Sequence, residues 1–180
     1  MKAGLKIGAV VVSFACVANA AEYTFVPTSG GWSDPKSYVD GDGHSPGQTP
    51  GADDVVKLSA GTYEVSAPSA GFTALSGIGR ISPDNARLVI DAAEGEPCEM
   101  GTKFASGQSA GESSKGELVK RGKGTVNLTG KGYEYNSSDW SYICNITVEG
   151  GRLALPDPEK NVQRHHGIFA VSNGATLVLS

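Results

Sequence analysis

Ile146-Thr147-Val148-Glu149-Gly150-Gly151-Arg152-Leu153-Ala154-Leu155 decides the fold class. Apolar side chains alternate with polar ones, a glycine pair breaks the run, and the alternation resumes. Period-two alternation gives a strand one apolar face, and glycine between two such runs marks a sharp turn. Phe169-Ala170-Val171-Ser172-Asn173-Gly174-Ala175-Thr176-Leu177-Val178-Leu179 repeats the plan with one residue more after the turn. Leu118 to Leu128 is a third version, turning at Gly122-Lys123-Gly124. Val56 to Val65 is a fourth and weaker one, turning near Gly61. The later copies begin at Leu118, Ile146 and Phe169, so they advance by 28 and then 23 residues. That spacing lies in the range of solenoid coils.

One strand–turn–strand unit cannot bury its apolar face alone. Stacked units bury a continuous column of Val, Ile and Leu, and their backbones pair from coil to coil. The pattern therefore predicts an all-β chain: a parallel β-helix or β-solenoid with an N-terminal cap and a few coils. A β-sandwich of hairpins joined by glycine turns is the alternative, and spacing does not separate the two. Composition agrees with either. With 25 Gly and 9 Pro, few helices of three turns could persist.

The first twenty residues follow a different rule. Lys2 and Lys6 form a short positive region before an apolar run from Ile7 to Val17, broken only by Ser13. Ala18-Asn19-Ala20 then supplies the small-x-small pattern of a secretory leader, which predicts cleavage before Ala21. The run is too short to cross a bilayer as an ordinary helix. Cys16 has Ser13 three positions before it, where a lipidation site wants an aliphatic residue, so no lipid anchor is expected. The expected organisation is a signal peptide over 1–20, a cap and first coil over 21–66, irregular strand and loop over 67–116, and β-strand repeats over 117–180. Leu177 to Ser180 stops in mid-pattern, which fits the N-terminal portion of a longer protein.

Lys2 and Lys6 leave with the leader and no acid does, so the formal charge moves from −4 to −6. Dispersed negative charge argues against nucleic acid or an anionic membrane as partner. Cys98 and Cys144 remain after cleavage. In an exported chain they can pair, closing a long loop worth about 4 kcal/mol in the chain-entropy model. Two buried free thiols are the alternative.

Glu117 to Leu155 carries a resemblance. Leu118-Val119-Lys120-Arg121-Gly122-Lys123-Gly124-Thr125-Val126-Asn127-Leu128-Thr129-Gly130 leads to Tyr133 and, after a short stretch, to Gly151 and Leu153. This resembles the autotransporter-associated β-strand repeat, "L-x-K-x-G-x-G-T-L-x-L-x-G-x-N-x-Y" followed by "v-x-x-G-x-L". Trp32-Ser33-Asp34-Pro35-Lys36-Ser37-Tyr38, with Pro50 to Val56 after it, is similar to the opening cap of such proteins. The resemblance implies a right-handed parallel β-helix on an exported bacterial protein, often anchored at the outer membrane. It also implies an aromatic plug over the open end of the first coil.

Other motifs point to chemistry more weakly. Gly107-Gln108-Ser109-Ala110-Gly111 spells a nucleophile elbow, and Asp139 and His165 follow in order. The surroundings are Gly/Ser-rich, with no apolar strand before and no helix after, so a solvated loop is expected. His165 and His166, with Asp157 and Glu159, are neighbouring metal-ligand types, but adjacent strand residues face opposite ways. Asp40, Asp42 and Asp53-Asp54, near Gly41 and Gly43, echo a calcium loop; the twelfth position from Asp40 is Gly51, not the glutamate an EF-hand requires. Trp32, Trp140 and Tyr142 are candidates for stacking on sugar rings. Arg80, Arg87 and Arg121 are scattered along the chain, and no motif gathers them with acids as a polysaccharide lyase needs. Asn127, Asn136 and Asn145 head N-glycosylation triplets, which carry little weight in a chain that reads as bacterial.

The expectation is a non-catalytic, exported, cell-surface stalk or adhesin without a cofactor, meeting extracellular glycans or proteins. It needs no transmembrane segment in the mature chain. A carbohydrate-processing enzyme or sugar-binding module on the same fold is the alternative.

Overall fold

The computed structural model describes residues 20–105, 116–129, 142–155 and 168–179. Strand β1 (Glu22–Phe25) pairs antiparallel with β2 (Tyr38–Val39) and parallel with β3 (Val55–Leu58). After β3 come β4 (Gly61–Ala67) and one short helix, α1 (Ala70–Ser76). A repeating order of three strands then begins. It runs β5 (Arg80–Ser82), β6 (Ala86–Ala92), β7 (Cys98–Met100), then β8 (Lys103–Ala105), β9 (Glu117–Arg121), β10 (Thr125–Leu128). It continues with β11 (Tyr142–Ile143), β12 (Asn145–Val148), β13 (Arg152–Leu155), and ends with β14 (Phe169–Val171) and β15 (Thr176–Leu179).

These strands build three sheets. The first is ordered β2-β1-β3-β5-β8-β11, the second β4-β6-β9-β12-β14 and the third β7-β10-β13-β15. Each triplet contributes one strand to each sheet, so the chain winds as a β-solenoid of about three turns. Every pairing between successive coils is parallel. That excludes the sandwich of hairpins, whose sequential strands would pair antiparallel.

Register explains the alternation. Leu88, Leu118, Ile146 and Phe169 stack in one column of the second sheet. Cys98, Val126, Leu153 and Leu177 stack in the third, and Tyr23, Val56, Ile81 and Phe104 in the first. The inward side chains form one continuous core cluster. Burying each large aliphatic side chain contributes about 1.5–3 kcal/mol, against the entropy of ordering its strand.

The structure adds two details. Leu118 to Leu128, Ile146 to Leu155 and Phe169 to Leu179 all turn the corner between the second and third sheets. Val56 to Val65 turns the corner between the first and second, so it is not in phase with the others. The stretch expected to be irregular, 67–116, contains the complete coil β5-β6-β7 and the helix. Ala93 to Pro97 lengthens the corner between β6 and β7, which masks the repeat in that stretch.

The two ends of the stack differ. At the start, Phe25, Trp32 and Tyr38 are buried, and α1 follows β4 where later coils place a third-sheet strand. Ser69 caps α1 by accepting from the Phe72 N–H at 3.1 Å, while Phe72 and Leu75 turn into the core. At the other end, Phe169 and Val171 are 37% and 47% exposed. Ile146 and Val148, their partners one coil earlier, are both at 0%.

Candidate functional site

The corner between the second and third sheets is held by a buried charge. Lys120 occupies an inward position, between Ile90 and Val148 in the column, and is 1% exposed. A lysine there needs partners for its ammonium, because an unpaired buried charge is very costly. Its Nζ donates to the carbonyl oxygens of Arg121 at 2.9 Å, Gly122 at 2.8 Å and Gly150 at 2.9 Å. All three ammonium donors are thereby used. Two acceptors belong to its own turn and the third to the next coil, so the side chain ties two layers together. Burial holds its pKa below the usual lysine value, with the Asp91 carboxylate opposing that shift.

The glycines at this corner are there for space and for φ. A Cβ on Gly124 would overlap the Ala93 carbonyl of the preceding coil. Gly151 adopts φ +62°, in the left-handed region that favours glycine, and packs on the Gly122 and Gly124 carbonyls. The Lys-x-Gly-x-Gly pattern is thus a single device: a turn flat enough to stack, with a lysine reaching its carbonyls from inside.

The outer face of the second sheet carries an ion-pair lattice that linear reading missed. Arg87 pairs with Glu117 at 3.0 Å and with Glu149 at 2.8 Å. Arg121 pairs with Asp91 at 3.0 Å and with Glu64 at 3.3 Å. Thr147 Oγ1 donates to Glu117 Oε1 at 2.5 Å. Val89 and Val119 lie on this outer face, outside the core cluster, and yet are fully buried. Arg87, reaching from Glu117 to Glu149, spans their row, where an amphipathic stem can shield apolar surface. Arg87 and Arg121 are therefore gathered with four carboxylates rather than scattered. The 30-residue offsets Arg87-to-Glu117 and Asp91-to-Arg121 were the available signal, legible only once the coil register was known. Arg80 sits apart on the first sheet, with Nε buried and unpartnered among the described residues.

Trp32 does not fit its sugar-stacking role. It is 5% exposed, its ring lies on Phe25 with centroids 3.8 Å apart and planes 3° apart, and Tyr63 meets it edge-on. The Tyr38 hydroxyl donates to the Trp32 carbonyl at 2.7 Å, and burial pushes that hydroxyl's pKa well up. Stacking on Phe25 makes Trp32 part of a plug for the first coil. Trp140 lies outside the described residues, as does the Tyr142 side chain.

The acidic loop is rearranged relative to expectation. Asp40, Asp42 and His44 bring one ligand atom each within 4.8 Å of one another; Asp53 is not among them. Asp40 Oδ1 accepts from the backbone N–H of His44 at 2.8 Å and of Asp42 at 3.0 Å. Those hydrogen bonds, His44's first, hold its carboxyl below the usual range. Three donors are too few to enclose calcium, which takes six to eight oxygens, so water would have to complete the shell. The turn accounts for the arrangement by itself. Asp54, beside Asp53, serves the backbone instead: it accepts from Gly51 N–H at 2.8 Å and from Ala21 N–H at 3.0 Å.

Cys98 and Cys144 are both free and buried. Of the two readings of this pair, the structure has the thiols. Cys98 belongs to the third sheet, and Cys144 joins a first-sheet strand to a second-sheet one two coils later, so the winding places them on different corners. Ser109, Asp139, Asp157, Glu159, His165, His166 and Asn136 lie outside the described residues. No helix among the described residues is long and apolar enough to cross a membrane. No protein family, curated protein or solved structure matches the chain.

Proposed function

We propose that this chain is an exported, non-catalytic bacterial surface protein, a β-helical stalk or adhesive segment. The observation that carries the reading is the unbroken register of the inward columns beneath an aromatic plug. Such a stack is a stiff rod by construction, because each coil is held to the next along three sheets. The leader-like 1–20 and the repeat-like Glu117 to Leu155 support export and a surface role. On the second sheet, arginines and carboxylates meet one another in a flat lattice, as a solvated wall requires.

The test is expression from the native start codon in a Gram-negative host, followed by fractionation and mild protease treatment of intact cells. The reading expects protein in the exported fraction with the leader removed. Cytoplasmic protein retaining Met1 would contradict it. Incubation with a panel of polysaccharides, with calcium and with a chelator, tests the non-catalytic part. Calcium-dependent release of sugar fragments would replace the stalk with an enzyme.

A further inference from the structure

We propose that removal of the leader creates a structural ion pair: hydrolysis of the Ala20–Ala21 bond frees an α-ammonium that Asp54 is already placed to receive. This rests on the exported, leader-bearing reading above. Two independent observations meet at one atom. Ala18-Asn19-Ala20 places the cut so that the Ala21 nitrogen becomes the new terminus. The fold places that same nitrogen 3.0 Å from Asp54 Oδ1.

Asp54 is well held for the task. Its Oδ2 accepts from Gly51 N–H at 2.8 Å, and its own N–H donates to the Gly51 carbonyl at 3.1 Å, closing a tight turn. Its carbonyl accepts from Arg80 N–H at 3.0 Å, which ties the turn to the following coil. Ala21 is anchored on its other side, where its carbonyl accepts from Val55 N–H at 2.8 Å at the head of the β1–β3 ladder. Ala20 is exposed and Ala21 half-buried, so the bond to be cut lies where the chain enters the fold.

The chemistry balances with water and a peptidase that reads small side chains. Water oxygen bonds to the Ala20 carbonyl carbon, the C–N bond breaks, and both water protons end on the Ala21 nitrogen. Ala20 departs as a carboxylate. A neutral amide donor becomes an ammonium facing a carboxylate, so the attraction of an ion pair is added to a hydrogen bond whose acceptor was already charged. Only a cut at this bond does so. A chain beginning at Ala20 keeps a neutral amide at Asp54, and one beginning at Glu22 has no donor there.

The experiment has two arms. N-terminal sequencing of the exported protein is expected to begin at Ala21. Separately, chains beginning at Ala20, Ala21 and Glu22 are released from a fusion, in wild-type and Asp54→Asn forms, and melted. The Ala21 chain is expected to melt about 2 °C above both neighbours, with the difference lost in Asp54→Asn. Its α-amine is expected to titrate above the ordinary range of about 7.7–8.0. If export yields an Ala21 terminus but Asp54→Asn leaves the melting series unchanged, the leader reading stands and the ion pair falls. If the exported chain begins at another residue, the leader reading stands and the ion pair falls; if it keeps Met1, both fall.

Discussion

Lys120 Nζ donates to the Gly150 carbonyl oxygen at 2.9 Å, across the boundary between two coils. The contact joins residues 30 apart in sequence and fixes the corner of one layer on the corner of the next. Replacing Lys120 with Met keeps the side chain unbranched, one atom shorter, and removes all three donors. The carbonyls of Arg121, Gly122 and Gly150 would lose this partner in a half-buried corner. The expected cost is about 2–3 kcal/mol in urea unfolding. A Lys120→Met variant as stable as the wild type would show that the corner holds without its lysine.

Gly124 is a purely steric position. A methyl group there overlaps the Ala93 carbonyl, which is backbone and cannot swing aside. Gly124→Ala is expected to destabilise by more than 1 kcal/mol, whereas Gly95→Ala is limited to the strain of its positive φ, since a Cβ there meets nothing. Paired denaturation curves check this. Equal losses at the two sites would refute the stacking argument.

Burial pushes the Cys144 thiol up from its ordinary 9.0 to about 12. The folded chain therefore keeps a proton that the unfolded chain releases between these two values. Stability contributed by this group is complete below pH 9 and is lost as pH rises toward 12, at roughly 1.4 kcal/mol per pH unit. Cys144→Ala is expected to flatten that alkaline slope relative to wild type, whatever it costs at neutral pH. A thiol reagent should find neither Cys98 nor Cys144 quickly in the native chain from Ala21, and both after denaturation. Absence of free thiols in the denatured, unreduced protein would restore the disulfide.

The Arg87 side chain reaches from Glu117 to Glu149, across the row that holds the buried Val119. Arg87→Met, which retains the apolar stem, should cost less than Arg87→Ala. The difference between them is expected to be about 0.5–1 kcal/mol and insensitive to salt, while the loss on going to Met shrinks as salt screens the ion pairs. Salt titration of both variants separates the two contributions. Identical losses at every ionic strength would mean the stem does not protect Val119.

Trp32 closes the first coil. Trp32→Ala is expected to cost about 3–5 kcal/mol and Trp32→Phe much less. Because its ring lies on Phe25, added glycans should leave the fluorescence of a Trp140→Phe variant unchanged. A glycan-dependent change in that variant would return Trp32 to the role of a ligand platform.

Residue pattern made the strands and their turns legible, because alternation at period two and glycine at corners are local properties. Ile146 to Leu155 needs no partner to announce strand, turn and strand. The misphased copy at Val56 to Val65 shows the limit: two different corners use the same local signals. Candidate sites were less legible. Asp40 and Asp42 were found by type, but His44 joined them and Asp53 did not, since a tight turn rather than sequence proximity chose the neighbours.

The side-chain pattern alone makes this chain all-β, with units of strand, glycine turn and strand that cannot bury their apolar faces singly, and it fits stacked coils and a sandwich of hairpins equally. Each of these follows from the side-chain period and from backbone freedom at glycine. Parallel pairing, and the way coil sits on coil, emerge in three dimensions. Register across those layers puts Lys120 under the Gly150 carbonyl, Arg87 beside Glu117 and Glu149, and Asp54 beneath the Ala21 nitrogen. Such pairs lie tens of residues apart, and loops of uneven length set their offsets, so no local pattern records them.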